Sequence, residues 1–302
     1  MKNLTLILST AVLALLGIGN VSAADLPEKA TPFIAPAPGF SWTGCYVGGN
    51  AGGVNDRTRY HKGYDGAKGL PAASFAQVDP GALAAFTAYE TYDLSGNHGA
   101  FTGGVQAGCN YQTGNWVVGI EGDFNGTTSN HSTVTSIAPM IFFAPPGSLL
   151  LGIGDINGRT DTIANRLNWL STVRGRVGWA PAGADRLLLY ATGGLALGDL
   201  SSSTTTVGPS SLVPAVAGFT YSGAGSGVKA GFVVGAGLEY AFAKNWSAKA
   251  EYLYVQLANL SYDEFRTNGT NSGFTATIRP RYDIVRFGIN YHFSPAAVVA
   301  KY

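Results

Sequence analysis

The sequence is poor in several kinds of residue that other protein classes need. Of its 302 residues only 12% are charged, the formal net charge is +1, and there are two Cys and two Met. Few and balanced charges give no basic stripe, so no nucleic-acid partner is expected. Beyond the N-terminal segment no apolar run reaches about 18 residues, which excludes membrane crossing by helices. Zinc-ligand spacing, a glycine-rich phosphate loop and a dinucleotide fingerprint are also missing, so no cofactor or metal is expected.

Glycine and aromatic residues are abundant instead. The chain contains 42 Gly, 15 Tyr and 15 Phe, and this share of Gly is about twice the usual one. Long helices would avoid so much Gly, whereas closely packed strands ringed by aromatic side chains suit it. Because only helices and closed barrels satisfy every backbone group in lipid, a membrane-spanning fold of this chain must be a closed barrel.

The N-terminal segment has the pattern of an export signal. Lys2 precedes an apolar run over 4–18 and small residues at 21–23, which predicts a cleaved signal peptide over residues 1–23. A membrane anchor is the alternative, but the run is short of the roughly 20 residues that cross a bilayer. Residues 24–40 include four prolines and are interpreted as a Pro-rich periplasmic linker.

The rest of the chain alternates strand-like segments with connections of unequal length. Eight strands are predicted, over about 42–53, 99–111, 115–125, 166–179, 186–199, 228–241, 245–256 and 281–293. Long connections cover 54–98, 126–165, 200–227 and 257–280, and short ones 112–114, 180–185 and 242–244. Outer-membrane barrels pair short periplasmic turns with long external loops in this way. We therefore predict an all-β fold, an eight-stranded antiparallel transmembrane β-barrel over 41–293, with a C-terminal tail over 294–302.

Side-chain polarity alternates with a period of two within these strands. In the third, one face carries Trp116, Val118, Ile120 and Phe124 and the other Asn115, Glu121, Asp123 and Asn125. The seventh and eighth strands alternate similarly, as a lipid face and a polar lumen require. A soluble sandwich would also alternate, but with its apolar face inward and loops of more equal length.

Aromatic residues gather at the predicted periplasmic ends of the strands. Indole and phenol rings prefer the headgroup level, where an apolar body and a polar group can both be satisfied. The alternative is a set of tryptophans buried in a soluble core. We interpret the cluster as a periplasmic aromatic girdle of Trp42, Tyr111, Trp116, Trp179, Tyr240, Trp246 and Tyr291.

Three short motifs carry a family resemblance. WTGCYVGGN at 42–50, GGVQAGCNYQ at 103–112 and VRFGINYHF at 285–293 resemble the outer-membrane immunogenic proteins of alphaproteobacteria. The small barrels of that family are similar to the OmpA transmembrane domain, and the resemblance covers nearly all of the chain after residue 23. Many outer-membrane barrels end at the last aromatic residue of the final strand. Here residues 294–302 follow Phe293, so Phe293 and Tyr302 are both candidates for the insertion signal.

The resemblance implies a non-enzymatic surface antigen of the outer membrane that contributes to envelope structure and surface interactions through its external loops. Members are variously described as antigens, small porins, envelope-stabilising proteins and haem binders. The expected partners are outer-membrane lipid and lipopolysaccharide, the barrel insertion machinery, and host or phage surface ligands. A small porin-like channel is the alternative, with haem binding by external loops a less favoured one.

Charged residues lie at a similar height on the predicted inward faces of four strands. These are Glu121, Arg174, Glu251 and Arg286, with Arg176, Glu239 and Lys249 nearby. Because an isolated buried charge is far costlier than a paired one, we expect a lumen charge cluster. It either fills the lumen structurally or forms a gate in a narrow ion path.

Cys45 and Cys109 fall close together on the first two predicted strands. In the oxidising periplasm they could form a disulfide. The alternative is two small apolar side chains facing lipid or lumen.

Histidine and serine residues offer two further hypotheses. Haem ligation would use loop histidines, and a deacylase-like triad would need a base and a nucleophile within hydrogen-bond reach. The spacing matches no recognised site. The residues concerned are His61, His98 and His131 in predicted loops, His292 on the last strand, and the pairs His292 with Ser294 and His131 with Ser132.

Overall fold

The protein consists of antiparallel strands throughout the residues described. A computed structural model describes residues 40–64, 92–137, 159–208, 219–267 and 274–293. The predicted signal peptide, nearly all of the linker and the C-terminal tail lie outside these ranges. The described strands are β1 (Gly44–Asp56), β2 (Arg59–Tyr64), β3 (Tyr92–Ser95), β4 (His98–Thr113), β5 (Trp116–Thr127), β6 (Asn130–Ile137), β7 (Arg159–Trp179), β8 (Leu187–Gly208), β9 (Phe219–Tyr240), β10 (Trp246–Leu257), β11 (Leu260–Arg266), β12 (Phe274–Arg279) and β13 (Arg281–Phe293).

Eight of these strands close into a barrel. The hydrogen-bonded order is β1, β4, β5, β7, β8, β9, β10, β13 and back to β1. Closure joins β1 to β13, where Cys45 lies opposite Phe293 and Asp56 opposite Tyr282. The short connections lie at one end, at 114–115, 180–186 and 241–245. The prediction of an eight-stranded antiparallel barrel is confirmed.

The outer wall of the barrel is apolar next to the short turns. On β5 the exposed side chains include Trp116, Val118, Ile120 and Phe124, while Glu121 is buried inside. The same alternation runs along β10 and β13, and about ten residues of each strand belong to this belt. About 9–11 residues of tilted strand cross a bilayer, so the belt has the height of the hydrocarbon core. It arises because side chains on a strand point alternately to its two faces.

Within the described ranges no helix is long and apolar enough to span a membrane.

The sheet continues beyond the apolar belt. The predicted long connections were therefore partly wrong, because strands run through parts of them. β7 begins at Arg159 rather than about 166, β8 reaches Gly208 rather than about 199, and β9 begins at Phe219 rather than about 228. β2, β3, β6, β11 and β12 also lie inside predicted loops. We call this second level the external tier: β2, β3, β6, β11, β12, and residues 159–168, 200–208 and 219–227. The rest of the barrel is the membrane tier.

The two tiers meet at a ring of interruptions. β1 stops before β2 at 57–58, β3 before β4 at 96–97, β5 before β6 at 128–129, β10 before β11 at 258–259, and β12 before β13 at Pro280. β7 has a register shift between Leu167 and Trp169 at the same height. In the external tier the sheet order is β6, β7, β8, β9, β11, β12, β2, β3.

Polarity changes above this ring in part of the sheet. On β11, Leu260 and Tyr262 are buried inside while Ser261 and Asp263 are exposed outside. β8 follows another pattern, in which Thr204 and Thr206 are inward and Val207 is outward. The alternation of a strand therefore continues through the predicted loops, with a mixture of apolar and polar side chains inward.

Candidate functional site

A network of ion pairs fills the lumen of the membrane tier. Arg174 on β7 donates from Nη1 to Glu251 Oε1 at 2.8 Å and from Nη2 to Asp123 Oδ2 at 3.0 Å, and it also pairs with Glu121. Arg286 on β13 donates from Nε to Glu251 Oε2 at 2.8 Å and from Nη2 to Asp123 Oδ2 at 2.9 Å. The structure thus brings the four residues of the predicted lumen charge cluster together and adds Asp123 to them.

The network continues toward the short turns. Lys249 Nζ donates to Glu121 Oε1 at 2.7 Å, and Arg176 Nη2 donates to Glu239 Oε2 at 2.8 Å. Tyr46 links the two groups, because its hydroxyl accepts a hydrogen bond from Arg176 and donates one to Glu121. These residues project from β1, β5, β7, β9 and β10, so the network ties most of the barrel wall together.

The charges in this network balance. It contains four cations and four carboxylates, and every one of the eight side chains is at most 3% exposed. Buried ions are tolerated when paired and further hydrogen-bonded. Asp123, for example, also accepts hydrogen bonds from Thr172 and Asn125. Side chains therefore occupy the lumen at the level of the network.

Trp42 closes the lumen at the short-turn end, which corrects its assignment to the aromatic girdle. Its side chain is fully buried, and Nε1 donates to the carbonyl of Asp185 at 2.9 Å. It packs with Leu188 and Val117 inside the barrel mouth. The outward assignment rested on its position at a strand end. Trp42 lies an even number of residues before the inward Tyr46 and Asn50, so the period of two along this chain carries its side chain inward.

The other predicted girdle residues lie on the outer wall at this end. Their exposed fractions range from 37% for Tyr291 to 63% for Tyr111. Trp116 lies opposite Trp179, and Trp246 opposite Tyr291, in the strand ladders. The group with these positions is Tyr111, Trp116, Trp179, Tyr240, Trp246 and Tyr291.

An apolar layer fills the lumen above the ion network. It includes Leu170, Val233, Leu253, Val255 and Ile284, all at most 2% exposed, and it extends through the ring of interruptions. A cavity at that height, between residues such as Leu200 and Tyr282, has a volume of only about 10 Å³, room for about one water molecule. Two different kinds of packing therefore obstruct the lumen in series.

A second buried ion cluster lies inside the external tier. Lys62 Nζ contacts Glu264 Oε2 at 3.0 Å and Asp161 Oδ1 at 3.4 Å, and it donates to Thr206 Oγ1 at 2.7 Å. Arg159 Nε donates to Asp161 Oδ2 at 3.1 Å. The sequence analysis missed this cluster because all four ions fall in predicted loops. Their inward positions on alternating strands were the signal that could have revealed it.

Tyr60 lies between this cluster and the apolar layer. Its hydroxyl donates to Glu264 Oε1 at 3.0 Å. Burial, with Glu264 adding to the effect, raises the pKa of Tyr60 well above its ordinary value. The hydroxyl therefore stays protonated and remains a donor to the carboxylate.

Cys45 and Cys109 form a disulfide in the structure. They lie directly opposite one another in the ladder between β1 and β4, on the outer face. Of the two alternatives left open by the sequence, the structure contains the bonded one.

The histidines are distributed over both tiers. The rings of His98 and His131 stack at a centroid distance of 4.1 Å beside Asp56, whose Oδ2 is 3.7 Å from His131 Nδ1. His98 begins β4, and His131 lies on β6, an end strand of the external sheet order. His61 Nδ1 contacts Asp93 outside at 2.9 Å, and His292 lies in the lumen beside Trp42. No group of three or more potential metal ligands occurs among the described residues.

The histidine and serine pairs do not assemble a triad within the described ranges. His131 points into the external tier and Ser132 points outward, as neighbours on a strand must. Ser294 lies outside the described residues. His292 Nε2 does contact Ser247 Oγ at 2.8 Å, but the same nitrogen faces Glu239 at 3.5 Å. A triad needs the acid at the other ring nitrogen, so this is a buried hydrogen-bond cluster.

An apolar outer belt on a closed antiparallel barrel defines the class of a transmembrane β-barrel of the outer-membrane type. The chain belongs to the outer membrane protein beta-barrel domain family, whose model matches residues 11–293. It is 33% identical over 277 residues to the 31 kDa outer-membrane immunogenic proteins of Brucella melitensis and Brucella suis, covering 91% of this chain and 94% of each relative. The predicted family and the outer-membrane location are confirmed.

Solved structures add little beyond this. The outer membrane protease OmpT from Escherichia coli aligns over 85% of this chain and 99% of that chain, with 11% identity and a TM-score of 0.41. At that TM-score the likeness carries no argument about activity.

Proposed function

We propose that this outer-membrane barrel is a non-enzymatic, non-conducting surface antigen that contributes to envelope structure and presents its external tier for surface interactions. The observation that carries the proposal is the lumen, where the ion network around Arg174 and the apolar layer around Leu253 follow one another. Eight-stranded barrels have interiors just filled by side chains, in agreement with this packing. The strand-paired external tier is a suitable platform for connecting segments that meet host or phage ligands.

Single-channel recording tests the non-conducting role. Purified monomer in planar bilayers is expected to give no steady openings, with a trimeric porin as the positive control for the same membranes. A matched variant, Leu253→Ala with Arg174→Ala, removes side chains from both obstructing layers and is expected to show brief leak events. Steady openings of the unaltered protein would replace this proposal by the channel alternative.

A haem role receives no support from the arrangement of histidines. His98 and His131 stack against each other and face the inside of the tier, so a planar ligand has no open face between them. We expect titration of haem into the refolded protein to leave its Soret band unshifted. A shift that disappears in His98→Gln with His131→Gln would restore the haem hypothesis.

The outer-membrane insertion machinery is the second proposed partner. The last strand offers it a row of exposed apolar side chains ending at Phe293. Tyr302 lies outside the described residues. If Phe293 is the signal, Phe293→Ser lowers the amount of folded protein in the outer membrane, whereas deletion of 294–302 does not.

A further inference from the structure

Four arginines lie side by side on the outer wall where the two tiers meet. Arg59 on β2 is opposite Arg279 on β12, and the N–H of Arg57 donates to the carbonyl of Arg281 at 2.8 Å. All four occupy outward positions, three of them exposed and Arg281 half-buried. Because the pair of Arg57 and Arg281 follows the pair of Arg59 and Arg279 on the same outer face, the four side chains start from adjoining positions on that face. We call this group the arginine patch.

The arginine patch is not neutralised by its described neighbours. Arg57 Nε pairs with Asp283 Oδ2 at 2.8 Å. Among the described residues Arg59, Arg279 and Arg281 have no ion-pair partner, and Arg281 Nε is buried without a hydrogen bond. Like charges directly opposite in a ladder are destabilising, so the rung of Arg59 and Arg279 costs stability unless an anion binds there.

An open groove lies directly below the patch on the membrane-tier wall. Its volume is about 550 Å³, and its walls include Gly53, Gly99, Phe101 and Val285. Phe101 is 76% exposed and Val285 52% exposed, so both belong to the apolar belt. Asp283, the partner of Arg57, lines the same groove, which makes the groove and the patch one continuous surface.

We propose that this surface binds a phosphate-bearing lipid of the outer leaflet, with its phosphate on the arginine patch and an acyl chain in the groove. Guanidinium groups bind phosphate oxygens through two parallel hydrogen bonds, which suits Arg for this role over Lys. The inference rests on the proposed function as an outer-membrane barrel and deepens it by naming a lipid partner and its site.

The height of the patch favours a lipid over a soluble polyanion. The four arginines stand at the upper edge of the apolar belt, where headgroups of the outer leaflet lie. A soluble polyanion would need no groove beneath the charges. The groove ends within two residues of Arg57, as Asn55 lines it, so one molecule can occupy both parts.

Binding of purified lipid A to the refolded full chain in non-ionic detergent tests the proposal. Arg59→Gln with Arg279→Gln removes two cations that have no carboxylate partner among the described residues and relieves their repulsion, so the fold is expected to persist. Each lost charge-assisted contact weakens affinity about tenfold, so we expect about 100-fold weaker binding of lipid A by this variant. Arg166→Gln, an exposed arginine at similar height on β7, is the matched control and should bind as the unaltered protein does.

Two further probes identify the source of the phosphate. A β carbon at Gly99 would have no heavy atom within 4 Å, so Gly99→Leu fills the groove without distorting the wall. It should weaken lipid A binding but leave unchanged any binding of a soluble phosphorylated disaccharide. If that disaccharide binds as tightly as lipid A, or if neither variant alters lipid A binding, the proposal is wrong. A conducting protein that still binds lipid A would contradict only the proposed function.

Discussion

Three strands, β7, β8 and β9, run through both the membrane tier and the external tier, yet the two tiers present different surfaces to the outside. In the membrane tier apolar side chains such as Phe287 face out and ions such as Arg286 face in. In the external tier polar side chains such as Ser261 face out and apolar ones such as Leu260 face in. The solvent outside decides this difference, because lipid accepts apolar side chains and water accepts polar ones.

Each tier nevertheless contains one buried cluster of balanced charge. The lower cluster has four cations and four carboxylates, and the upper one pairs Lys62 and Arg159 with Asp161 and Glu264. A strand that passes from lipid to water thus keeps ions inside at both levels. The comparison shows that inward charge on a strand does not by itself distinguish a membrane-spanning segment from a water-exposed one.

The largest expected effect is on the lower cluster. Arg174→Met removes one of the two arginines that contact all of Glu121, Asp123 and Glu251, the other being Arg286, and should lower the free energy of unfolding by about 3–5 kcal/mol. Urea unfolding in lipid vesicles, followed by gel mobility, measures it. Arg166→Met on the outer face of the same strand is the control, with a change within about 0.5 kcal/mol.

Glu121 provides the coupling test for the same cluster. Glu121→Gln and Arg174→Met together should destabilise less than the sum of the single variants, because the pair is removed as a unit. Additive effects would mean that the two side chains do not stabilise each other.

The disulfide ranks next and lies in the membrane tier. Cys45 and Cys109 are separated by 64 residues, and removing such a link typically costs about 2–4 kcal/mol. We expect Cys45→Ala with Cys109→Ala to lower the urea midpoint without altering outer-membrane location. The denatured, unreduced protein should contain no free thiol, and detection of two thiols would contradict the bond.

Loss of the upper cluster should have a local effect. Lys62→Met leaves Asp161 and Glu264 short of a cation, so the external tier should open while the membrane tier persists. Hydrogen exchange is expected to accelerate in β2, β11 and β12 but not in β5 or β10. Lys244→Met, at an exposed short turn, is the control, and uniform acceleration in both tiers would show that the tiers unfold together.

The smallest effect is a pH dependence confined to the external tier. Burial lowers the pKa of His131, Asp56 opposes this, and His98 adds to it. The neutral ring is thus favoured in the folded state, so stability is fully present above the unfolded pKa of about 6.5 and falls as the pH drops below it. Proteolysis of the external tier should be faster at pH 5 than at pH 7.5.

His131→Gln should remove most of that pH dependence. His61→Gln, which alters an exposed histidine paired with Asp93, should retain it. If both variants keep the same pH dependence of proteolysis, a group other than His131 causes it.

The sequence by itself determined the number of barrel strands, which face of each strand contacts lipid, and the closure of the barrel. A period of two is a local property, and the apolar rows ending in Phe124 or Phe293 can be recognised without any partner strand. The short connections then identify the periplasmic end of the barrel, and the long connections identify its external end. The same reasoning placed Glu121, Arg174, Glu251 and Arg286 at one height.

Only the tertiary structure decided that the long connections form a second tier. Lys62 contacts residues 99 and 144 positions away, and the arginine patch joins β1 and β2 to β12 and β13. Such proximity depends on which strands pair and in what register, and these are properties of the closed sheet as a whole.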